Sequence, residues 1–275
     1  MATRPRHILI TGGSRGIGLS IAQLFAKNSY RCTLISRSEQ NLQAAVSSLH
    51  PLPSASTSTQ YQHNYIAANI SHGPAFWSAH TFGAHLPKLS RDASSTHPSR
   101  IDVVVNCAGI TQARLFSMLD ESTIDQLITT NLTALMHGTK FLLRNGYLRR
   151  PKTETQGPSP TIINVASLLG LQGGYGTVAY AASKAGVLGF TRALATEYAS
   201  HKVRVNAIVP GYVDTDMTRG MWSLSCNLNS AEIQQRIPLG RFGTPEEIAH
   251  AALFLAENQY AHNCVINLDG GLSAV

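Results

Sequence analysis

The sequence predicts a single α/β domain, doubly wound around a seven-stranded, mainly parallel sheet with helices on both faces. Short apolar runs alternate along the chain with longer helical patterns. Several of the short runs are continuous stretches of Val, Ile and Leu without polar alternation, which is typical of strands buried on both faces. Strands that alternate with helices favour crossover connections, which join parallel neighbours in one sheet.

Seven strands and four long helices are predicted within residues 1–275, and their alternation along the chain assigns them all to one domain. The sequence shows no internal repeat. The predicted strands are His7 to Thr11, Arg31 to Ser36, Tyr65 to Ala68, Ile101 to Asn106, Thr161 to Ala166, Val203 to Val209 and Val265 to Leu268. The predicted helices are Gly16 to Asn28, Glu121 to Tyr147, Val178 to Tyr198 and Pro245 to Glu257.

Polar stretches interrupt this alternation at residues 51–60, 90–100 and 149–160. We interpret them as surface insertions without catalytic content. The segment 221–236, within the stretch 212–236, is rich in Ser and Asn and contains a tryptophan. This segment is a candidate substrate lid, and an inert loop is the alternative interpretation.

The composition is that of a globular protein, with 43% hydrophobic residues and a net charge of +7 from 22 Lys and Arg against 15 Asp and Glu. A positive charge suits an anionic partner, and a phosphorylated cofactor or an acidic carrier protein accounts for it as well as nucleic acid does. The sequence shows no basic run with interleaved aromatic residues, which argues against nucleic acid.

Cysteine and histidine usage argues against disulfides and metal. The four cysteines, Cys32, Cys107, Cys226 and Cys264, form no Cys-x-x-Cys pair, so we expect reduced thiols. None of the eleven histidines pairs at metal-ligand spacing beside a carboxylate or thiol, so no metal site is expected. The sequence shows no apolar stretch of membrane-spanning length and no targeting segment before the first strand, so the expected location is the cytoplasm.

A glycine-rich turn, Thr11-Gly-Gly-Ser-Arg-Gly-Ile-Gly18, follows the first predicted strand and opens the first helix. Side chains in such a turn would block the close approach of a pyrophosphate, and the helix N-terminus offers unpaired N–H groups to the phosphates. A dinucleotide site is therefore predicted, with a purely structural turn as the alternative. The candidate cofactor contacts here are Gly12, Ser14, Arg15, Gly16, Ile17 and Gly18.

The end of the second strand indicates which dinucleotide is bound. An NAD site usually has an Asp or Glu there for the ribose hydroxyls, whereas this strand ends in Ser36, Arg37 and Ser38. Arg37 and the two hydroxyls suit a 2′-phosphate, and Arg15 in the glycine turn lies within reach of the same group. The cofactor predicted from this pattern is NADP(H).

A Tyr–Lys pair carries the predicted chemistry. Tyr180 and Lys184 are four residues apart in a helical pattern and so share one helix face. A nearby ammonium group is expected to lower the pKa of the phenol, which otherwise stays near 10. Ser167 ends the fifth strand, and a glycine-rich stretch separates it from Tyr180. Open α/β sheets bind ligands at the carboxyl ends of their strands, so Ser167 is expected beside the phenol.

These motifs resemble those of the classical short-chain dehydrogenase/reductase family over almost the whole length of the chain. The glycine turn resembles the cofactor turn of that family, and Asn106-Cys-Ala-Gly109 resembles its Asn-x-Ala-Gly motif. Ser167, Tyr180 and Lys184 match its catalytic residues in order and spacing.

The resemblance implies a single Rossmann-type domain that transfers hydride between nicotinamide and a carbonyl carbon. Tyr180 would protonate the oxygen, Ser167 would orient it, and Lys184 would bind the nicotinamide ribose and tune the phenol. Asn131 would hold a water that links Lys184 to solvent. Further cofactor contacts implied by the resemblance are Asn69, Ile70, Asn106, Ala108, Gly109, Pro210, Gly211, Val213 and Thr215. At position 69 the family usually has Asp, so Asn69 keeps the hydrogen-bonding group and loses the charge.

The segments Tyr212 to Thr218, Ile237 to Ala249 and Asn267 to Gly271 resemble the 3-oxoacyl-[acyl-carrier-protein] reductase branch. The implied substrate is a 3-oxoacyl thioester, carried on an acyl carrier protein or free. Thr177 stands where that branch commonly has Gln, which leaves open a specialised metabolite such as a polyketide or an aromatic ketone. A non-catalytic NADP(H)-binding sensor is the third alternative. The resemblance also implies a homotetramer or a homodimer.

Overall fold

The computed structural model describes residues 4–53, 61–86, 99–112, 114–148, 158–219 and 230–275. Most of the three proposed insertions, and residues 220–229 of the proposed lid, lie outside these ranges.

Seven parallel strands form one sheet in the order β3-β2-β1-β4-β5-β6-β7. The strands are β1 (His7–Thr11), β2 (Arg31–Ser36), β3 (Asn64–Ala67), β4 (Val103–Asn106), β5 (Thr161–Val165), β6 (Arg204–Pro210) and β7 (Val265–Leu268). The prediction of the sheet is confirmed, and every neighbouring pair is parallel. The strand order reverses between β1 and β4, which opens a crevice at their carboxyl ends where α/β sheets bind ligands.

The helices lie on both faces of the sheet. They are α1 (Gly16–Lys27), α2 (Glu39–Ser47), α3 (Phe82–His85), α4 (Glu121–Ile128), α5 (Ala134–Arg144), α6 (Leu169–Gln172), α7 (Val178–Tyr198), α8 (Ser230–Arg236) and α9 (Pro245–Glu257). The helix predicted over 121–147 is two helices joined by a π turn, Thr129–Thr133, and it ends earlier than predicted. Gly146 with φ 78° follows Asn145, and this backbone conformation stops the helix.

Alternate side chains of the strands contribute to hydrophobic cores on the two faces of the sheet. Ile8 and Ile10 of β1 pack with α1, α2 and α9, while Leu9 packs on the opposite face with α5 and α7. This alternation places apolar side chains against helices on both sides, which explains why β1 shows no polar alternation. Among the helices in the described part of the chain, none is both long and apolar enough to cross a bilayer.

A buried chain of polar side chains ties the sheet to the helices beneath the carboxyl edge. Asn106 Nδ2 donates to Asn164 Oδ1 at 2.8 Å and to Thr139 Oγ1 at 3.3 Å. Asn164 Nδ2 in turn donates to Thr191 Oγ1 at 2.9 Å. The chain links β4, β5, α5 and α7, so the strand ends that carry the candidate site are held in fixed register.

Candidate active site

A cavity of about 630 Å³ opens at the carboxyl edge of the sheet. It brings together most of the residues predicted from the sequence. Those that line it are Gly12, Ser14, Arg15, Gly16, Ile17, Gly18, Ser36, Arg37, Asn69, Ile70, Ala108, Gly109, Ser167, Tyr180, Lys184, Pro210, Gly211, Val213 and Thr215. Ser38, Asn106 and Asn131 are absent from this lining.

The glycine turn forms one wall by close backbone contact. Gly12 has φ +74°, and a Cβ there would lie 2.8 Å from the Ala108 backbone. A Cβ on Gly18 would lie 2.3 Å from the Gly12 carbonyl oxygen. Arg15, the N-cap of α1, makes no side-chain capping hydrogen bond. The first amides of α1 are therefore available to an anion such as a phosphate.

The end of β2 presents hydroxyl and guanidinium groups to the same wall. The Ser14 and Ser36 hydroxyl oxygens are 2.9 Å apart, and the Arg37 side chain is exposed. Ser38, predicted to contact the 2′-phosphate, is absent from the cavity lining and caps a helix. Its hydroxyl accepts a hydrogen bond from Asn41 N at 3.3 Å and caps α2. That bond points the group at the helix, because an N-cap side chain folds back over the first turn.

Arg15 has a protein partner across the mouth of the cavity. Its Nη1 lies 3.9 Å from Asp216 Oδ2, and both side chains are about two-thirds exposed. Asp216 also lies 3.6 Å from Arg219. The sequence indicated Arg15 as a second phosphate ligand, whereas the structure sets a carboxylate beside it. Exposed ion pairs of this kind contribute little to stability, so the Arg15 side chain can leave Asp216 for a phosphate at low cost in free energy.

Lys184 and Tyr180 lie at the inner end of the cavity. Lys184 is 5% exposed, its Nζ donates to the Val165 carbonyl oxygen at 2.9 Å, and it lies 5.8 Å from the centre of the Tyr180 ring. Burial lowers the pKa of Lys184 to about 8. An amine with this pKa is mainly protonated at neutral pH, yet it titrates close to it.

The electrostatics of Tyr180 differ from the expectation. Burial raises the pKa of Tyr180, and the hydrogen bond with the Ser167 side chain offsets this only in part. The predicted lowering by Lys184 is therefore not the leading effect on the phenol in this structure. Desolvation disfavours the phenolate more strongly than the neighbouring hydroxyl stabilises it. Tyr180 is thus held as a neutral phenol, the form that can give up a proton.

Asn131 lies behind the cavity, on the π turn between α4 and α5. Its Oδ1 accepts from Ile110 N at 2.9 Å, and its Nδ2 donates to Ile110 O at 3.0 Å and to Ser183 Oγ at 3.0 Å. A Cβ on Gly109 would meet Asn131 Oδ1 at 3.2 Å and Lys184 Nζ at 3.6 Å. The absence of a side chain at Gly109 lets these groups approach each other. Single-turn π segments inside α-helices often occur at functional sites.

The remaining predicted contacts also have structural partners. Asn69 Oδ1 accepts from Ser71 N at 3.1 Å, so it caps the short turn that follows β3. Asn106 is buried in the polar chain described above, which agrees with a structural role. A Cβ on Gly211 would lie 2.7 Å from Asp269 Cα. Thr215 Oγ1 lies 3.1 Å from Thr218 Oγ1, which itself donates to the Val213 carbonyl oxygen.

Several lining residues were missed by the sequence reasoning. One group comes from α4 and its π turn, and its members are Ser122, Asp125, Gln126, Thr129 and Thr130. Their spacing of three and four residues makes a polar stripe on one helix face, and that signal was readable in the sequence. Cys107 also lines the cavity, and burial raises the pKa of its thiol to about 11. That thiol is neutral at physiological pH.

Comparison with known proteins places this site in context. Residues 84–273 match the family model described as enoyl-(acyl carrier protein) reductase, and residues 6–69 match that of short chain dehydrogenase. The 3-oxoacyl-[acyl-carrier-protein] reductase of Chlamydia muridarum is 38% identical over 96% of each chain. The human 3-oxoacyl-[acyl-carrier-protein] reductase is 34% identical over 97% of each chain.

Solved structures give the same result for the fold. A variant of actinorhodin polyketide ketoreductase with NADPH superposes with a TM-score of 0.81 at 28% identity, and both chains are covered completely. Levodione reductase superposes with a TM-score of 0.80 at 27% identity, again over the whole of both chains.

Proposed function

Because this chain belongs to the short-chain dehydrogenase/reductase family, we propose that it uses NADPH to reduce a ketone to a secondary alcohol, and that its substrate is a 3-oxoacyl thioester. The observation that carries the proposal is the placement of Ser167, Tyr180 and Lys184 in the same cavity as the glycine turn. Proton donor and nucleotide cradle thus share one space, as a hydride transfer to a carbonyl requires.

The cavity fits a phosphorylated dinucleotide. Gly12 and Gly18 allow backbone approach that a Cβ would block, and the N-terminus of α1 faces the same space. Arg37 and the hydroxyl of Ser36 stand where an acid would select NAD, which favours a 2′-phosphate. Ser14, Arg15, Gly16, Ile17, Asn69, Ile70 and Thr215 would complete the cradle.

A bound nicotinamide would supply the hydride for the carbonyl carbon. Tyr180 would then transfer its phenolic proton to the carbonyl oxygen, because burial keeps that proton in place until negative charge develops on the substrate. The Ser167 hydroxyl would orient and polarise the same oxygen. Lys184 would contribute positive charge beside the phenolate that remains, and Asn131 would help to return a proton through solvent.

The choice of a 3-oxoacyl thioester rests on the two 3-oxoacyl-[acyl-carrier-protein] reductases, which are similar to this chain over nearly its whole length. The net charge of +7 suits an acidic carrier protein that presents the acyl group to the site. A polyketide or aromatic ketone is the second candidate, supported by the likeness to actinorhodin polyketide ketoreductase. Thr177, the position at which the substrate branches differ, is absent from the cavity lining, and its hydroxyl donates to the Gly174 carbonyl oxygen at 2.8 Å.

Substrate assays with purified protein test this proposal. NADPH consumption would be followed with acetoacetyl-coenzyme A, with longer 3-oxoacyl thioesters and with small aromatic ketones. Turnover that is fastest on the thioesters supports the first candidate, and turnover confined to the ketones supports the second. Tight NADPH binding without turnover on any of them would leave the cofactor-binding sensor as the function.

A further inference from the structure

The first turn of α7 needs a hydrogen-bond acceptor from elsewhere in the chain. The first amides of a helix have no partner within it, and a capping side chain usually satisfies one of them. Thr177, the N-cap of α7, provides no such bond, and its hydroxyl instead donates to the Gly174 carbonyl oxygen at 2.8 Å. Tyr180 is the third residue of α7, and its N–H is one of these amides.

Gln112 supplies the missing acceptor. Its Oε1 accepts a hydrogen bond from Tyr180 N at 3.0 Å, although the two residues are 68 positions apart. Its Nε2 donates to the Arg114 carbonyl oxygen at 2.9 Å. Gln112 is 3% exposed, so both polar ends of a buried side chain are satisfied. A buried amide with both ends paired holds one orientation, since any rotation leaves a group unpaired.

The other side of the Tyr180 peptide is held as well. Ser183 Oγ donates to the Tyr180 carbonyl oxygen at 2.6 Å and accepts from Asn131 Nδ2 at 3.0 Å. Asn131 binds both backbone groups of Ile110, two residues before Gln112. The segment 110–112 is therefore linked to the Tyr180 backbone by two routes, directly through Gln112 and indirectly through Asn131 and Ser183. The segment follows directly on Ala108 and Gly109 of the cavity wall.

We propose that Gln112 is a positioning residue for catalysis, which fixes the backbone of Tyr180 so that its hydroxyl stays beside Ser167. The inference rests on the proposed function, because it assumes that Tyr180 donates the proton. Displacement of a reacting group by about 1 Å can cost on the order of 100-fold in rate, so a residue that sets the Tyr180 backbone affects turnover without touching substrate.

Two substitutions of Gln112 separate this role from simple helix capping. Gln112→Met keeps the length of the side chain and removes the acceptor. Gln112→Glu keeps an oxygen that accepts from Tyr180 N, and burial favours its neutral acid form, whose O–H can donate to the Arg114 carbonyl oxygen in place of Nε2. A matched control is Thr244→Ala, which removes the cap of α9, where Thr244 Oγ1 accepts from Glu247 N at 3.4 Å. Thr244 lies outside the cavity lining.

The measurements are kcat with acetoacetyl-coenzyme A, the Kd for NADPH by fluorescence, the midpoint of thermal unfolding, and the solvent deuterium isotope effect on kcat. We expect Gln112→Met to lower kcat by at least about 10-fold, since a misplaced acid loses part of the 10²–10⁴-fold that general acid catalysis supplies. The Kd for NADPH should stay close to that of the wild type. The isotope effect should increase because proton transfer becomes limiting, and Gln112→Glu should recover most of kcat.

The Thr244→Ala control separates an effect on catalysis from a loss of stability. Thr244→Ala should lower the unfolding midpoint while kcat stays near the wild-type value. The proposal is overturned if Gln112→Met leaves kcat unchanged, or if Gln112→Glu loses as much kcat as Gln112→Met. It is also overturned if the loss of kcat is proportional to the fall in unfolding midpoint, with the same proportion in all three variants. A Tyr180→Phe variant with wild-type kcat would instead contradict the proposed function itself. An inactive Tyr180→Phe variant together with a fully active Gln112→Met variant would contradict only the role of Gln112.

Discussion

The ammonium group of Lys184 donates a hydrogen bond to the Val165 carbonyl oxygen at 2.9 Å, at the point where β5 ends. This contact fixes the amine in the buried end of the cavity, away from bulk water. Burial lowers the pKa of Lys184 from its usual 10.5 to about 8, so the charged form is disfavoured in the folded protein.

This pKa predicts a pH dependence of stability. Between about pH 8 and pH 10.5 the unfolded chain still holds the Lys184 proton while the folded chain has lost it, so the free energy of unfolding should rise with pH through that window. A Lys184→Met variant lacks this contribution. Urea unfolding of both proteins at several pH values should show the wild type gaining on the variant as pH rises; a constant difference would contradict the buried-amine interpretation.

Cofactor selection is expected to depend on Arg37. Arg37→Asp places a carboxylate where the 2′-phosphate would bind, so the Michaelis constant for NADPH should rise sharply and the preference over NADH should narrow or reverse. The measurement is kcat/KM with each cofactor at low and high salt, since screening should shrink the effect. Lys27→Asp at the exposed end of α1 makes the same charge change and should leave the ratio alone. An unchanged ratio of kcat/KM for NADPH to kcat/KM for NADH in Arg37→Asp would contradict the assignment of Arg37 as a 2′-phosphate contact.

Arg15→Ala should act in the same direction as Arg37→Asp but more weakly. One cation remains at the site, and Arg15 already lies 3.9 Å from Asp216. Asp216→Asn, which removes this competing charge, should lower the Kd for NADPH, because the guanidinium is then freer to turn to a phosphate. Titration by NADPH fluorescence measures both variants, and a stronger loss from Arg15→Ala than from Arg37→Asp would assign the main phosphate contact to the glycine turn.

Assembly into a homotetramer or homodimer is predicted from the resemblance of α4, α5, α7 and the C-terminal segment to interface elements of the family. Exposed apolar side chains on these helices, among them Met136 of α5 at 41% and Val178 of α7 at 49%, suit burial in such an interface. Light scattering at micromolar concentration should report a mass of two or four chains. A monomer under these conditions would contradict the prediction.

The strands were predictable from sequence because they are buried on both faces. Short continuous apolar runs such as Ile8 to Ile10, bounded by turn residues, are typical of buried strands. The predicted strand ends differ from the observed ones by no more than two residues. The break between α4 and α5 was not predictable, because the π turn Thr129–Thr133 contains neither glycine nor proline. Asn131 lies in this turn and is hydrogen-bonded to Ile110 and Ser183, which are distant in the sequence, and local periodicity does not encode such contacts.

The site shows the same division. Glycine positions and the Tyr–Lys spacing are steric and helical requirements, which are local and so readable in sequence. The raised pKa of Tyr180, the capping role of Ser38 and the contact of Gln112 with Tyr180 depend on which groups surround them in space. Residues 68 positions apart cannot be paired from a single sequence by spacing alone.

Replacement of Tyr180 by Phe tests whether the Tyr180 hydroxyl donates the proton. The change removes the phenolic proton and keeps the ring, so the fold and the NADPH affinity should be preserved, and the kcat for NADPH-dependent reduction of acetoacetyl-coenzyme A should fall by at least about 10²-fold. Near-normal turnover by a Tyr180→Phe protein that binds NADPH with wild-type affinity would contradict the assignment of Tyr180 as the proton donor.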